Sequence, residues 1–309
     1  MKTAVAFLIF KRPDTTKKVF EAIRQAKPPK LLVVADGPRP DRPDEMEKCA
    51  ATRKIIDSID WQCELLTNYS DSNLGCKNRV SSGLDWVFEN VEEAIILEDD
   101  CLPHPTFFPF CEELLEYYRD DTRIMSVCGD SSRSKLKRTN YSYFFSCTTP
   151  IWGWATWRRA WQYYDVNMKL WPLIKDGNWC KDILFQPEII EAWENKFQNV
   201  YSGTIDTWDY QWTFACWIQN GLSAIANVNL ISNCGFHAEA THTKEIDHRL
   251  ANQPTKAMEF PLKHPPFVIR DTQAEYYHFK HDNPGLAFRA KKKAQKILNQ
   301  FIPKFSSRS

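Results

Sequence analysis

Three consecutive acids, Glu98, Asp99 and Asp100, come directly after the apolar residues 94–97. Three adjacent like charges repel one another, so gathering them at the end of a strand calls for a cationic partner. Carboxylate oxygens suit the hard ions Mg²⁺ and Mn²⁺, which keep further coordination positions for phosphate and water. The triplet therefore indicates a divalent-metal site for a diphosphate, although a solvated turn at a strand end would show the same residues.

Two further polar side chains follow apolar runs in the first part of the chain. Arg12 comes shortly after residues 4–10, and Asp36 comes directly after residues 31–35. In an open parallel sheet, ligands bind at the carboxyl ends of the strands, and these ends share one edge. We therefore expect Arg12, Asp36 and the acidic triplet to meet in one site despite their separation in sequence.

The elements that position these residues alternate between apolar strands and helical patterns. The strands are almost continuously apolar, as in sheets that are covered on both faces, and helical periodicity separates them. Such βαβ units predict an α/β fold with a mostly parallel central sheet flanked by helices. The predicted strands are 4–10, 31–35, 63–66, 94–97 and 124–128, and the predicted helices are 15–26, 44–58, 78–88, 107–118, 187–200 and one from 207 or 209 to 220.

The composition excludes several classes of protein. With 309 residues, 43% hydrophobic and 26% charged, the chain is long and apolar enough to form a packed core. Its 40 basic and 39 acidic side chains argue against binding nucleic acid through bulk charge. The ten cysteines include no Cys-x-x-Cys pair, which favours reduced thiols in a cytoplasmic protein. No run approaches the ~20 apolar residues that span a bilayer, and the short first run indicates a buried strand, not a signal peptide.

The surroundings of the triplet resemble a known family. Residues 96–100, followed by Pro103 and residues 107–108, resemble the Glu-Asp-Asp form of the Asp-x-Asp motif in GT-A glycosyltransferases. Within that group, the pattern resembles the N-acetylglucosaminyltransferases that initiate complex N-glycan branching. The resemblance implies a GT-A fold and a nucleotide-sugar donor. It also implies that Asp100 binds Mn²⁺ or Mg²⁺ and that Glu98 and Asp99 face the ribose or the donor sugar.

The resemblance extends to the other polar residues of the first half. The loop bearing Arg12 resembles the family's loop near uridine, and Asp36 resembles the acid that recognises the uracil edge. Residues 73–75, followed by Arg79, resemble the Asn-x-Gly turn and basic helix start of family-2-type enzymes. Cations at a helix start suit an anionic nucleotide. For Arg79, an ordinary surface salt bridge is an equally good interpretation.

Downstream motifs concern the acceptor and the catalytic base. Residues 150–155 resemble the segment that shapes the donor and acceptor pocket, and Trp208-Asp209 resembles the pair that supplies the base, with Asp206 as a competitor. Ten of the twelve tryptophans lie between residues 152 and 217. Most are expected in the core, and one or two are expected to line an acceptor site.

The histidines of residues 233–248 offer a second metal ligand. By resemblance to enzymes that use a late histidine, His242 is our candidate, although a hydrogen-bonded loop histidine would show the same pattern. A separate zinc site from His237, His242 and His248 is disfavoured, because their spacing matches no helical pair and no cysteine joins them.

Three regions are predicted. Residues 1–130 form the nucleotide-sugar half, residues 131–250 form the acceptor-side half of the same domain, and residues 251–309 form a C-terminal extension. A basic amphipathic pattern at 286–302 fits either an anionic membrane surface or a packed terminal helix. The expected location is cytoplasmic, with peripheral attachment to the inner membrane face as an option.

Together these features predict an inverting, metal-dependent glycosyltransferase that uses a nucleotide-diphosphate sugar, with UDP favoured, and a glycan, glycolipid or other hydroxyl acceptor. Two alternatives stay open. A sugar-nucleotide nucleotidyltransferase would normally carry a glycine-rich loop after the first strand, and residues 11–14 contain no glycine. A non-catalytic carbohydrate- or membrane-associated protein would leave the acidic triplet unexplained.

Overall fold

The computed structural model describes residues 1–132, 139–235 and 251–282. Eight strands form a central sheet in the spatial order β3-β2-β1-β4-β8-β6-β9-β7. These strands are β1 Ala4–Ile9, β2 Lys30–Ala35, β3 Glu64–Tyr69, β4 Glu93–Glu98, β6 Ile124–Cys128, β7 Tyr143–Ser146, β8 Trp154–Trp157 and β9 Leu222–Ala226. A separate two-stranded sheet pairs β5 Cys101–Pro103 with β10 Ile231–Asn233.

Six of the eight strands in the central sheet run in the same direction. β3, β2, β1 and β4 are parallel neighbours, and β6 is parallel to β9. β8 runs antiparallel between β4 and β6, and β7 is antiparallel to β9. The predicted α/β class, with a mostly parallel sheet, is therefore confirmed, and the insertion of β8 makes the sheet mixed.

The helices cover both faces of this sheet. They are α1 Pro13–Ala26, α2 Asp44–Lys54, α3 Gly75–Asn90, α4 Phe107–Tyr117, α5 Arg158–Trp161, α6 Trp171–Asp176, α7 Cys180–Ile183, α8 Pro187–Tyr201, α9 Asp209–Ile218 and α10 Thr272–Asp282. Successive residues of β1 point to opposite faces. Phe7 packs in a core with α1 and α4, whereas Ala6 and Leu8 pack in a core with α3, α5 and α9.

Most predicted elements of the first half are confirmed, and the differences have local causes. α1 begins at Pro13, two residues earlier than expected, because proline fits the first turn of a helix. The helix predicted at 44–58 ends at Lys54 and continues as a 3₁₀ turn, Ile55–Ser58. The strand predicted at 63–66 runs on to Tyr69.

The sequence patterns missed the strands of the second half. β7, β8 and β9 have only four or five residues each, mostly apolar or small, which carry no clear period. Their pairing nevertheless places them in the same sheet as the first half of the chain. The division into regions at 130 and 250 stays a prediction.

All ten cysteines lie within the described residues, and all are free thiols. Among the described residues, none of the helices combines the length and apolar character needed to cross a membrane. The basic pattern at 286–302 lies outside the described residues, so membrane contact through it stays a prediction.

Candidate functional site

The carboxyl ends of β1, β2 and β4 open into a cavity of about 420 Å³. The start of α9, together with Asn233 and Gly235, also lines this cavity. Every predicted site residue within the described ranges lines this cavity: Arg12, Asp36, Arg79, Glu98, Asp99, Asp100 and Asp209. His242, His237 and His248 lie outside the described residues.

The acidic triplet is held by backbone pairing on both sides. β4 ends at Glu98, and β5 pairs antiparallel with β10, so that Cys101 lies opposite Asn233. The amide of Cys234 donates to the backbone oxygen of Asp100 at 2.8 Å. Asp99 is buried, and one of its oxygens accepts a hydrogen bond from the amide of Phe10 at 3.2 Å. The alternative of a solvated turn is therefore wrong.

Arg12 pairs with two acids of the triplet. Its Nη1 lies 2.8 Å from Asp100 Oδ2, and its Nη2 donates to Asp99 Oδ1. Burial opposes the charged form of Arg12, but the neighbouring carboxylates of Asp99 and Asp100 raise its pKa overall. The guanidinium therefore stays charged and neutralises part of the triplet.

Glu98 is the third acid of the triplet, beyond the two with which Arg12 pairs. Its Oε1 is buried and has no hydrogen-bond partner among the described residues. Burial, together with the charges of Asp100 and Asp99, raises the pKa of Glu98 to about 8. Three carboxyl groups thus face one guanidinium, and a further cation would favour the charged form of Glu98.

The carboxyl groups of the triplet fit a divalent ion whose other ligands are phosphate oxygens and water. Within the described ranges, no three His, Cys, Asp or Glu side chains already surround a common point. Mg²⁺ is usually held by one or two carboxylates and completes its coordination with phosphate oxygens and water. Asp100, with the unpartnered Oε1 of Glu98 in the same triplet, matches that pattern, and a ligand would supply the phosphates.

Asp36 organises a turn at the edge of the cavity. Its Oδ1 accepts hydrogen bonds from the amides of Gly37 and Leu74, both at 2.9 Å, and its Oδ2 accepts one from Asn73 Nδ2 at 3.0 Å. Burial raises the pKa of Asp36, while the amide hydrogen bonds of Leu74 and Gly37 lower it in part. Asp36 therefore shapes the loop before α3, and its contact with a base stays a prediction.

Arg79 is buried beneath the same loop. Its Nη2 donates to the backbone oxygen of Asn68 at 2.6 Å and to Asn68 Oδ1 at 2.7 Å. Burial lowers the pKa of Arg79, and the charge of Asp36 counteracts part of this effect. Neither contact is the surface salt bridge considered above, because the side chain ties α3 to the end of β3.

Glu45 is a residue of this region that sequence patterns did not single out. Its carboxylate pairs with Lys11 from the loop after β1 and with Arg39 from the loop after β2. Lys11 and Arg39 both line the cavity. No motif could have found Glu45, because one partner lies 34 residues away and the other 6.

The charge of Glu45 has a consequence for stability. Burial alone would raise its pKa, but hydrogen bonds from Arg39 and Lys11 lower it from 4.5 to about 2. A carboxyl with a lowered folded-state pKa stabilises the protein above its unfolded pKa and loses that contribution as the pH falls. We expect Glu45→Gln to lower the free energy of unfolding by roughly 2–3 kcal/mol at pH 7.

Urea unfolding at pH 7 and at pH 3 measures this effect. The difference in free energy of unfolding between wild type and Glu45→Gln should shrink at pH 3, where the carboxyl of the unfolded chain is protonated. Glu47→Gln is the matched control, because Glu47 is exposed on the same helix. An equal deficit at both pH values would show that the charge of Glu45 is not what stabilises these loops.

Asp209 lies where two cavities meet. Besides the first cavity, it lines a second one of about 190 Å³ together with hydroxyl-bearing and aromatic side chains. The shared wall consists of Asp209, Ile151 and Trp152. Asp206 lines the first cavity and is absent from the described lining of the second.

The sequence around Asp209 explains its position. Asp209 is the first residue of α9, where a negative charge is favourable. The hydroxyl of Thr207 donates to its Oδ1. Trp208 turns away into the core, where its ring stacks on Trp154 at a centroid distance of 5.8 Å. The Trp208-Asp209 pair thus anchors α9 and directs Asp209 to the cavities.

The tryptophan cluster is mainly core, as expected. Trp154 packs against Trp161, Trp208 and Trp212, with ring centroids 5.5 to 6.3 Å apart. Trp152, in contrast, is half-buried and lines both cavities. This aromatic block fixes β8 and α9 relative to each other and thereby positions the side chains at the junction.

No family model matches the chain, and no curated protein is similar to it in sequence. Similar solved structures include 4-diphosphocytidyl-2C-methyl-D-erythritol synthase from Anaerococcus prevotii DSM 20548, with 9% identity, 73% of this chain and 88% of that chain covered and a TM-score of 0.37. Mouse xyloside xylosyltransferase 1 in its apo form has 8% identity, 73% and 85% coverage and a TM-score of 0.35. UDP-glucose pyrophosphorylase complexed with UDP-glucose has 9% identity, 53% and 79% coverage and a TM-score of 0.30. Similarity at this level assigns no activity.

Proposed function

We propose that this protein transfers a sugar from a nucleotide-diphosphate donor to a hydroxyl acceptor, with inversion at the anomeric carbon. The observation that carries the proposal is the position of Asp209 at the junction of two cavities. One cavity holds the acidic triplet and several cations, and the other is lined by aromatic and hydroxyl groups. A base between a donor site and an acceptor site is what glycosyl transfer requires.

The first cavity is assigned to the donor. Its cations, Arg12, Lys11 and Arg39, suit an anionic diphosphate, and Asp100 is assigned to hold Mg²⁺ or Mn²⁺. Such an ion would neutralise the charge that develops on the leaving diphosphate. The loop fixed by Asp36 forms the rim, and its resemblance to a uracil-binding position favours UDP as the nucleotide.

The second cavity is assigned to the acceptor. Its lining combines rings that can pack against a sugar with groups that can form hydrogen bonds to hydroxyls. These residues are Trp152, Trp193 and Tyr210, together with Asp130, Thr148, Thr149 and Thr213. The composition suits a glycan or the saccharide of a glycolipid.

Asp209 is assigned as the general base. An alcohol is a poor nucleophile at neutral pH, so a carboxylate must take its proton as the new bond forms. Thr207 holds Oδ1 of Asp209, and we assign proton transfer to Oδ2. The acceptor oxygen then attacks the anomeric carbon on the face opposite the diphosphate, so that one displacement inverts the configuration. Asp206 is the weaker candidate, because its described position lies on the donor cavity alone.

A ligand panel tests the proposal. Melting temperatures are measured with the diphosphates and sugar derivatives of uridine, guanosine, cytidine, adenosine and thymidine, each with Mn²⁺ or with a chelator. Ligands that bind only the native state raise the melting temperature. We expect a Mn²⁺-dependent shift with UDP and UDP-sugars, followed by slow release of UDP from a UDP-sugar in the presence of saccharide acceptors.

The alternatives give different results in the same assays. Formation of pyrophosphate from a nucleoside triphosphate and a sugar 1-phosphate would indicate a nucleotidyltransferase instead. The absence of a shift with every nucleotide and sugar derivative would contradict the donor assignment and favour a non-catalytic carbohydrate-binding protein.

A further inference from the structure

Arg12 forms ion pairs with two carboxylates that the proposed function assigns to the donor site. Its side chain crosses from the loop before α1 to the acidic triplet and bridges Asp99 and Asp100. The side chains of Arg12, Asp99 and Asp100 are 16%, 3% and 14% exposed, so water screens these ion pairs weakly. Arg12 therefore acts as a strongly held, built-in cation.

The backbone at Gly235 closes over this ion pair. A Cβ atom at Gly235 would lie 2.1 Å from Asp100 Oδ2 and 2.9 Å from Arg12 Nη1. No side chain other than hydrogen fits there while the pair persists. The close approach shelters the contact between Arg12 and Asp100 from solvent and leaves little room for a second cation beside that oxygen.

Two other oxygens of the triplet have a weak partner or none. Asp100 Oδ1 lies 3.5 Å from the thiol of Cys101, a weak donor, and Glu98 Oε1 has no partner among the described residues. A divalent ion at Asp100 would therefore face a guanidinium at the other oxygen of the same carboxylate. The two cations repel each other, so the charge of Arg12 weakens the binding of a divalent ion in the absence of nucleotide.

We propose that Arg12 is a counter-ion that couples metal binding to donor binding; this inference rests on the proposed function. Without a nucleotide, the guanidinium holds Asp100 and weakens the binding of a lone divalent ion. When a diphosphate arrives, Arg12 keeps its pair with Asp99, leaves Asp100 to the ion and donates to the phosphate oxygens. Ion and nucleotide then strengthen each other's binding, and this coupling is reciprocal by thermodynamic necessity.

Other cations of the cavity are less suited to this role. Lys11 and Arg39 both pair with Glu45, which lies on α2 away from the triplet. Arg79 donates to Asn68 at the end of β3. Arg12 is the cation that the described residues place in direct contact with the triplet, and its two ion pairs give it two separable partners.

The test measures Mn²⁺ binding directly, from the electron paramagnetic resonance signal of the free ion. Wild type, Arg12→Gln and Arg12→Lys are titrated with Mn²⁺ alone and then with Mn²⁺ in the presence of UDP. Arg24→Gln is the matched control, because Arg24 lies on α1 and forms exposed ion pairs with Asp60 and Glu21. Melting curves establish whether each variant is folded.

For Arg12→Gln, we expect the dissociation constant for Mn²⁺ alone to fall by about tenfold or more, the effect of removing one close like charge. The strengthening of Mn²⁺ binding by UDP should shrink by a similar factor. Arg12→Lys keeps the charge but replaces the planar fork, whose two nitrogens each meet a carboxylate, with a single nitrogen, so it should show a smaller change of the same sign. Arg24→Gln should match wild type.

Unchanged or weaker binding of Mn²⁺ alone by folded Arg12→Gln would overturn the inference and leave Arg12 as a structural anchor of the triplet. If Arg12→Gln does not fold, Arg12→Lys decides the question by the same criterion. The titrations need no donor sugar or acceptor, so they separate the two proposals. Coupling between Mn²⁺ and UDP that is present in wild type and lost in Arg12→Gln, with no sugar transfer by wild type, would overturn the proposed function and support the role of Arg12.

Discussion

Replacement of Asp209 by asparagine is expected to reduce sugar transfer by about 10²–10⁴-fold, the usual contribution of a general base. Asparagine has nearly the same shape as aspartate but cannot accept the acceptor's proton. Because Asp209 belongs to the wall between the two cavities, the nucleotide should still bind. The rate of product formation and the nucleotide-induced shift in melting temperature measure the two effects separately.

Asp206→Asn is the control for that experiment. Asp206 lies three residues before Asp209 and lines the donor cavity. Its Oδ2 lies close to Gly75, 3.4 Å from the position that a Cβ atom would take there. We expect this variant to retain most of its transfer activity. Full turnover by Asp209→Asn together with an inactive Asp206→Asn would reverse the assignment and make Asp206 the base.

Replacement of Asp100 by alanine is expected to abolish the Mn²⁺-dependent part of nucleotide binding. A nucleotide present at 100 times its dissociation constant stabilises the native state by about 2.7 kcal/mol. In wild type, the corresponding shift in melting temperature should be several degrees larger with Mn²⁺ than with a chelator. In Asp100→Ala, the shifts under the two conditions should become equal.

Asp71→Asn provides a matched control, because Asp71 is exposed in a loop near the cavity but does not belong to its described lining. It should keep the full Mn²⁺-dependent shift. Asp100→Ala also removes one partner of Arg12, so its melting temperature without ligand is recorded first. A Mn²⁺-dependent shift that survives in Asp100→Ala would contradict the assignment of Asp100 as the metal ligand.

Much of the fold was predictable because the first half obeys simple periodicities. The run at β1 is buried at every position, and such continuous burial is typical of a parallel strand covered on both faces. The helix at α8 places Ile189, Trp193 and Phe197 in the core, as its spacing predicts. The start of α9 at Asp209 was also among the two starts expected.

The strands of the second half escaped prediction for a physical reason. β8 consists of four residues, Trp154–Trp157, that are all buried between β4 and β6. Four residues are too few to show a period, and their strand conformation comes from pairing with segments distant in sequence. Tertiary pairing of this kind decides short strands more than local preference does.

The sequence by itself determined which residue types gather at the strand ends: Arg12, Asp36 and the acidic triplet each follow a buried strand. It determined this because the end of an apolar run is visible locally, and parallel strands share an edge. Only the tertiary structure decided how these side chains are paired: Arg12 with Asp99 and Asp100, Asp36 with the turn before α3 and Arg79 with Asn68.

The tertiary structure also placed Asp209 between two cavities. It brought Glu45 into ion pairs with Lys11 and Arg39. Pairing distances of a few ångströms depend on how helices pack on the sheet, and that packing joins segments tens to more than a hundred residues apart. Local periodicity carries no information about such distances. For this reason the sequence located the site, and the packed chain fixed its electrostatics.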